Sequence, residues 1–169
     1  MPSGQGFARN RIVIAGGGIA GLSLSLALKQ ALGTGFEIVL ADPAVAATPR
    51  GDSRAYAVAA AAQTMLETLG IWPAVAATAQ PMTEMIVTDS RNPDVVRPVF
   101  LTFDGEVEPG QPFAHMVENA ALLAALMEAR RDAGVVLRPE SVKRFENRDE
   151  AIDLRLFNGV ADQLRVALR

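Results

Sequence analysis

The stretch RIVIAGGGIAGLSLSLAL, Arg11 to Leu28, decides how the chain is read. Its first five residues, Arg11 to Ala15, centre on Ile-Val-Ile. A short β-branched run of that kind suits a buried parallel strand. Glycines crowd the next segment, Gly16 to Gly21. Residues 20 to about 32 then read as an apolar helix that stops near Gly33 and Gly35. Phe36 to Ala41, FEIVLA, reads as a second buried strand, ending at Asp42-Pro43. Strand, helix and strand make a βαβ unit of roughly 30 residues, the length such a crossover needs.

Gly16, Gly18 and Gly21 give G-x-G-x-x-G between the first strand and the helix. The first glycine makes the tight turn and the second lets backbone N–H groups approach a pyrophosphate. The third allows close helix–strand packing. The helix N-terminus, at Ile19 and Ala20, faces the phosphates with its positive dipole end. Ser25 is small and keeps the packing close. Asp42 follows about 20 residues after the last glycine, where an acid accepts hydrogen bonds from ribose hydroxyls. Its charge disfavours a 2′-phosphate, so the pattern implies FAD or NAD rather than NADP. The bland alternative is a structural turn, which the joint presence of strand, helix and acid makes the weaker reading.

Further along, residues 43–54 read as a loop, and Ala55 to Leu69 as a helix closed by Gly70. Thr83 to Asp89 reads as a strand, with Arg97 to Phe103 as its pairing partner. Asn119 to Ala133 carries Leu122, Leu123, Leu126 and Met127 at helical spacing. Gly134 ends that helix, and Val135 to Leu137 starts another buried strand. Alternating segments at 141–146, 152–157 and 163–168, separated by NRDE and by Asn158-Gly159, predict a β-meander.

The 169 residues suit one domain of ordinary size. Half are hydrophobic and 21% charged, which reads as globular. A net charge of -3 argues against nucleic acid as a partner. The absence of cysteine removes disulfides, thiolate metal sites and a cysteine nucleophile. With His115 as the only histidine, a two-histidine metal site is impossible within one chain. Residues 1–10 read as a flexible tail rather than a signal peptide, and no apolar run approaches the ~20 residues that span a bilayer. The expected location is cytoplasmic.

DSRAYAVAAAAQTMLETLGIW, Asp52 to Trp72, resembles the FAD-dependent aromatic-ring hydroxylases, a class of flavoprotein monooxygenases, and most closely the branch acting on ubiquinone precursors. That branch has D-x-R-x-x-A-L/V and then a helix ending L-x-x-L-G-I/V-W. The matching residues are Asp52, Arg54, Ala57, Val58, Leu66, Leu69, Gly70 and Trp72. AQPM (79–82), IVTD (86–89) and HMVENAALLAAL (115–126) fit as well. The resemblance implies an α/β fold: an FAD/NAD(P)-binding domain of the glutathione-reductase Rossmann type with a β-meander crossover. Residues 11–169 would be its N-terminal part, with an insertion toward the substrate domain at about 79–115.

The resemblance also implies FAD as cofactor, NAD(P)H as electron donor, O₂ as co-substrate, and a phenolic or quinol ring, prenylated in the ubiquinone branch, as substrate. Arg54 would lie beside the FAD and help hold it, its alternative being a plain surface arginine. Asn119 would contact the cofactor or simply cap its helix. The candidate cofactor-binding residues are therefore Gly16, Gly18, Ile19, Ala20, Gly21, Asp42, Arg54 and Asn119. Glu118 reads as a helix-terminus acid, His115 as packed near a sheet edge, and Trp72, Met65, Met82 and Met85 as packing residues. Arg130, Arg131 and Arg144 read as solvated charge.

The family's Asp-Gly and Gly-Asp motifs and its His-Pro-x-x-Gly-Gln-Gly segment are missing from these residues, so the sequence reads as a fragment. Peripheral attachment to the inner membrane face and homo-oligomerisation, covering an unpaired sheet edge, are expectations of the same reading. The competing readings are a related FAD enzyme, such as a halogenase or prenyl reductase, and a non-catalytic nucleotide-binding module. A plain NAD dehydrogenase fits less well, because helix-linked strands rather than a meander would follow the first unit.

Overall fold

The computed structural model describes residues 10–46, 52–88, 99–104, 106–108, 110–149, 151–157 and 161–167. The N-terminal nine residues, the Asn158-Gly159 turn and the chain's end at Arg169 lie outside them. In chain order the elements begin with β1 (Arg11–Ala15), α1 (Ile19–Leu32) and β2 (Glu37–Ala41). They continue with β3 (Ala55–Ala59), α2 (Ala60–Thr68), α3 (Trp72–Val75), β4 (Gln80–Met82), β5 (Glu84–Thr88) and β6 (Val99–Asp104). Then come β7 (Glu106–Glu108), β8 (Gln111–Pro112), β9 (Ala114–Glu118), α4 (Asn119–Asp132) and β10 (Val136–Arg138). The meander is β11 (Ser141–Arg148), β12 (Ala151–Phe157) and β13 (Ala161–Ala167). The fold is mixed α/β. It divides into two units, Met1–Gly51 with Leu123–Arg169, and Asp52–Leu122.

In the first unit β1, β2 and β10 form a parallel sheet with β2 in the middle. Alternation sends Ile38 and Leu40 to one face of β2 and Val39 and Ala41 to the other, and all four are buried. A strand buried on both faces must be apolar throughout, which is why FEIVLA was legible as one. α1 covers the Leu40 face, and the backbone at Gly21 comes close to the Leu40 side chain. On the other face Ala41 packs with Leu154, Leu156 and Val166 of the meander, flanked by Val13, Val142, Ile152 and Leu164. The meander strands pair antiparallel in order β11-β12-β13. Their even-numbered β12 residues face inward, while Asp153 and Arg155 join a charged outer face with Arg144 and Glu146.

In the second unit β9 lies between β3 and β4 in an antiparallel sheet, and β5 pairs with β6. The sequence predicts one helix over Ala55–Leu69, and the structure corrects this. Ala55–Ala59 is a strand, in residue-for-residue register with Glu118–Ala114. Alanine's helix propensity is overridden by that ladder, which buries Val58. The helix begins only at Ala60, whose N–H donates to the Phe113 carbonyl at 3.0 Å. Gly70, at φ +74°, ends the turn after it. His115 stands in the central strand of this sheet, not near its edge, and meets Trp72 edge-to-face at 5.2 Å. Met65 and Met85 are exposed rather than packed. Among the described residues no helix is long and apolar enough to cross a membrane.

Candidate functional site

The glycine turn is shaped by what side chains would obstruct. Gly16 has φ +111°, a region that L side chains rarely adopt. At Gly21 an added Cβ would fall on the Gly16 carbonyl oxygen and lie 3.5 Å from Leu40 Cδ1. Gly18 is the N-cap of α1, and a Cβ there would meet nothing within 4 Å, so the space beside it is open.

The Leu22 N–H finds its acceptor in the Gly18 carbonyl at 2.9 Å. The amides of Ile19, Ala20 and Gly21 precede it and have no intrahelical acceptor. No side chain caps the helix, and no acid stands in its first turn. An uncapped positive helix end beside an open glycine is suited to an anionic group such as a diphosphate.

Asp42 follows β2, beside this turn. One carboxylate oxygen, Oδ2, accepts the Gly17 N–H at 2.6 Å, and Oδ1 accepts the Ala44 N–H at 2.6 Å. The Gly16 N–H donates to the Ala41 carbonyl at 2.9 Å. Asp42 thus ties the glycine loop to the end of β2, a role sequence reasoning missed. Each carboxylate oxygen keeps a further lone pair for a hydroxyl donor.

In the second unit Arg54 and Asn119 come together around Asp52. Arg54 donates to Asp52 through Nε at 2.8 Å and Nη2 at 2.7 Å, a forked pair. Asn119 Nδ2 donates to Asp52 Oδ2 as well. The Asn119 N–H donates to the Arg54 carbonyl at 2.9 Å. The hydrogen bonds from Arg54 hold the Asp52 carboxyl well below the usual carboxylate range, with desolvation opposing them. The Asn119 side chain is buried at 2% exposure and directed to Asp52. The spacing D-x-R is a signal that could have found this partnership, since residues two apart in extended chain share a side.

The predicted residues therefore fall into two clusters, one in each unit: Gly16, Gly18, Ile19, Ala20, Gly21 and Asp42, and Arg54 with Asn119. Arg130 is not simply solvated charge. It is partly buried, donates to the Val135 carbonyl at 2.9 Å, and burial lowers its pKa. Among the described residues no group of three or more His, Cys, Asp or Glu is placed to hold a metal ion.

The mixed α/β fold resembles that of solved monooxygenases. The chain is similar to the flavin-dependent monooxygenase PieE, solved in complex with FAD and substrate, with a TM-score of 0.65 at 23% identity. That likeness covers 92% of this chain and 29% of PieE. FqzB superposes with a TM-score of 0.71 at 14% identity, over 99% of this chain and 36% of FqzB. In sequence, the chain is 27% identical over 162 residues to ubiquinone hydroxylase UbiL of Rhodospirillum rubrum, which agrees with the resemblance carried by Asp52–Trp72. The match covers 93% of this chain and 36% of UbiL, so the chain spans about a third of the length of the relatives it matches. No protein-family model matches it.

Proposed function

We propose that the chain is the N-terminal, nucleotide-holding part of an FAD-dependent monooxygenase of the glutathione-reductase Rossmann type. The parent reaction is hydroxylation of a phenolic or quinol ring, with NAD(P)H as electron donor and O₂ as co-substrate. The single observation that carries this reading is the open, uncapped N-terminus of α1 above a Gly16–Gly21 contact that excludes any side chain. Similarity to UbiL supports a ubiquinone precursor as the substrate, a prenylated substrate would favour peripheral membrane attachment, and an unpaired sheet edge would favour self-association of this chain.

In this reading the backbone amides of Gly18, Ile19, Ala20 and Gly21 hold the pyrophosphate, Gly16 shapes the turn beside it, and Asp42 accepts the ribose hydroxyls. Arg54 and Asn119 are further cofactor residues. When bound, FAD supplies the redox chemistry, and the protein supplies its position. The inserted stretch at about 79–115 leads toward the substrate domain.

The test is calorimetric titration of the purified chain with FAD, with NAD as control, together with its visible absorption. Selective FAD binding, weakened in Asp42→Ala and in the near-isosteric Asp42→Asn, is the expected result. A folded chain with no affinity for FAD would overturn the proposal and favour a non-catalytic module.

A further inference from the structure

We propose that Asp52 is a positioning residue that holds Arg54 ready for the cofactor; this rests on reading Arg54 as a cofactor residue. The two side chains differ sharply in burial, Asp52 at 13% exposure and Arg54 at 70%. The carboxylate is thus the fixed partner and the guanidinium the presented one. Asp52 is itself held from behind. Its Oδ2 accepts from the buried Asn119 side chain, and its Oδ1 accepts the Arg54 backbone N–H at 3.1 Å. Just beyond Arg54 the β3–β9 register begins, with Ala55 opposite Glu118. Backbone and side chains therefore fix the carboxylate from two directions.

The forked pairing occupies Nε and one hydrogen of Nη2 on Arg54. The Nη1 donors and the other Nη2 hydrogen form the opposite edge of a rigid plane, and they have no partner among the described residues. An arginine held along one edge presents the other in a fixed direction. A free arginine must lose rotamer freedom when it binds, and one already held by Asp52 has lost that freedom on folding. Asp52 accordingly acts on the ligand only through Arg54. A purely structural Asp52 would tether the loop with no dependence on the guanidinium.

The experiment is FAD titration of the full chain and of Asp52→Ala, Asp52→Asn, Arg54→Ala and the Asp52→Ala/Arg54→Ala double variant. Circular dichroism confirms folding, and the Arg54 Nε–H resonance is followed by NMR without FAD. Wild type is expected to show one ordered, slowly exchanging Nε–H signal, which broadens in Asp52→Ala and in Asp52→Asn. Arg54→Ala and Asp52→Ala should each weaken FAD about tenfold, with the double variant no weaker than Arg54→Ala alone. Should Arg54→Ala weaken FAD while both Asp52 variants bind like wild type, the positioning role is overturned and the Arg54 reading stands. The role is also overturned if the double variant shows additive losses. Unchanged affinity in Arg54→Ala, or no FAD binding by wild type, removes the Arg54 reading itself and the proposal with it.

Discussion

The glycine turn at 16–21 and the cluster of Asp52, Arg54 and Asn119 are built in opposite ways. The turn is made of backbone, and its geometry depends on side chains being absent: a Cβ at Gly21 has nowhere to go. The cluster is made of side chains, and its geometry depends on charge and hydrogen bonds converging on one carboxylate. The first kind of site fails by steric exclusion, abruptly. The second fails by degrees, as each donor or charge is removed. Asp42 shares features of both, a side chain whose partners are the backbone amides of Gly17 and Ala44.

That contrast ranks the expected effects. Gly21→Ala should cost the most, about 3 kcal/mol or more, because the contact is with backbone that cannot rotate aside. Urea denaturation reads this directly, and a wild-type midpoint would mean that the helix can lift from β2 at little cost. Asp42→Ala should follow at about 2 kcal/mol, from two lost hydrogen bonds to an ionised acceptor. Asp42→Asn, which keeps one acceptor oxygen, should lose less.

Asp52 should appear in the pH dependence. Its folded pKa lies below the ordinary value of 3.8. The stability it contributes is therefore present above about pH 4 and is lost as the pH falls through that value toward the folded pKa. Thermal melts from pH 6 down to pH 2 should show a smaller acid loss in Asp52→Asn than in wild type. Parallel curves would remove the carboxylate from the account.

The smallest effect on folding belongs to Gly18→Ala. Its φ of -72° suits alanine, and the new methyl group meets no atom. Stability should change by less than about 1 kcal/mol, because the narrower unfolded ensemble is set against alanine's weakness as an N-cap. FAD affinity should nevertheless fall, since the methyl enters the space where the pyrophosphate is expected. A variant that folds with nearly unchanged stability but binds less well would separate the turn's two duties. Unchanged FAD affinity would move the phosphate elsewhere.

Much of the first unit was legible because its signals are local or strictly periodic. Ile12 to Ile14 and Ile38 to Leu40 are apolar on both faces, and the glycines between them have few other uses. The meander announced itself by alternation in AIDLRLF. The second unit was legible only in part: Thr83–Asp89 and Arg97–Phe103 announced the β5–β6 pair, while β3 and β9 stayed hidden. Ala55–Ala59 has no strong β-formers except Tyr56 and Val58, and it becomes a strand because β9 lies beside it. AHMVE in β9 has Val117 as its one strong β-former, so it too gives little strand signal of its own. The role of Asp42 toward Gly17 was invisible for a related reason: it depends on two segments 25 residues apart in sequence meeting at a sheet end. Arg130 was misread because the carbonyl it reaches, at Val135, lies past the helix end.

The pairing of β2 with β10 joins segments roughly a hundred residues apart in the chain, a distance that matters as the protein is made. A nascent chain leaving the ribosome presents β1, α1 and β2 first. At typical synthesis rates β10 follows only about 5–20 s later, and the meander later still. Through that interval Val39 and Ala41 have no partner strand on the β10 side and no meander over them. Ribosome-stalled chains ending before Val136 should remain open to protease along β2. Chains long enough to expose all of β13 outside the exit tunnel should become resistant in one step.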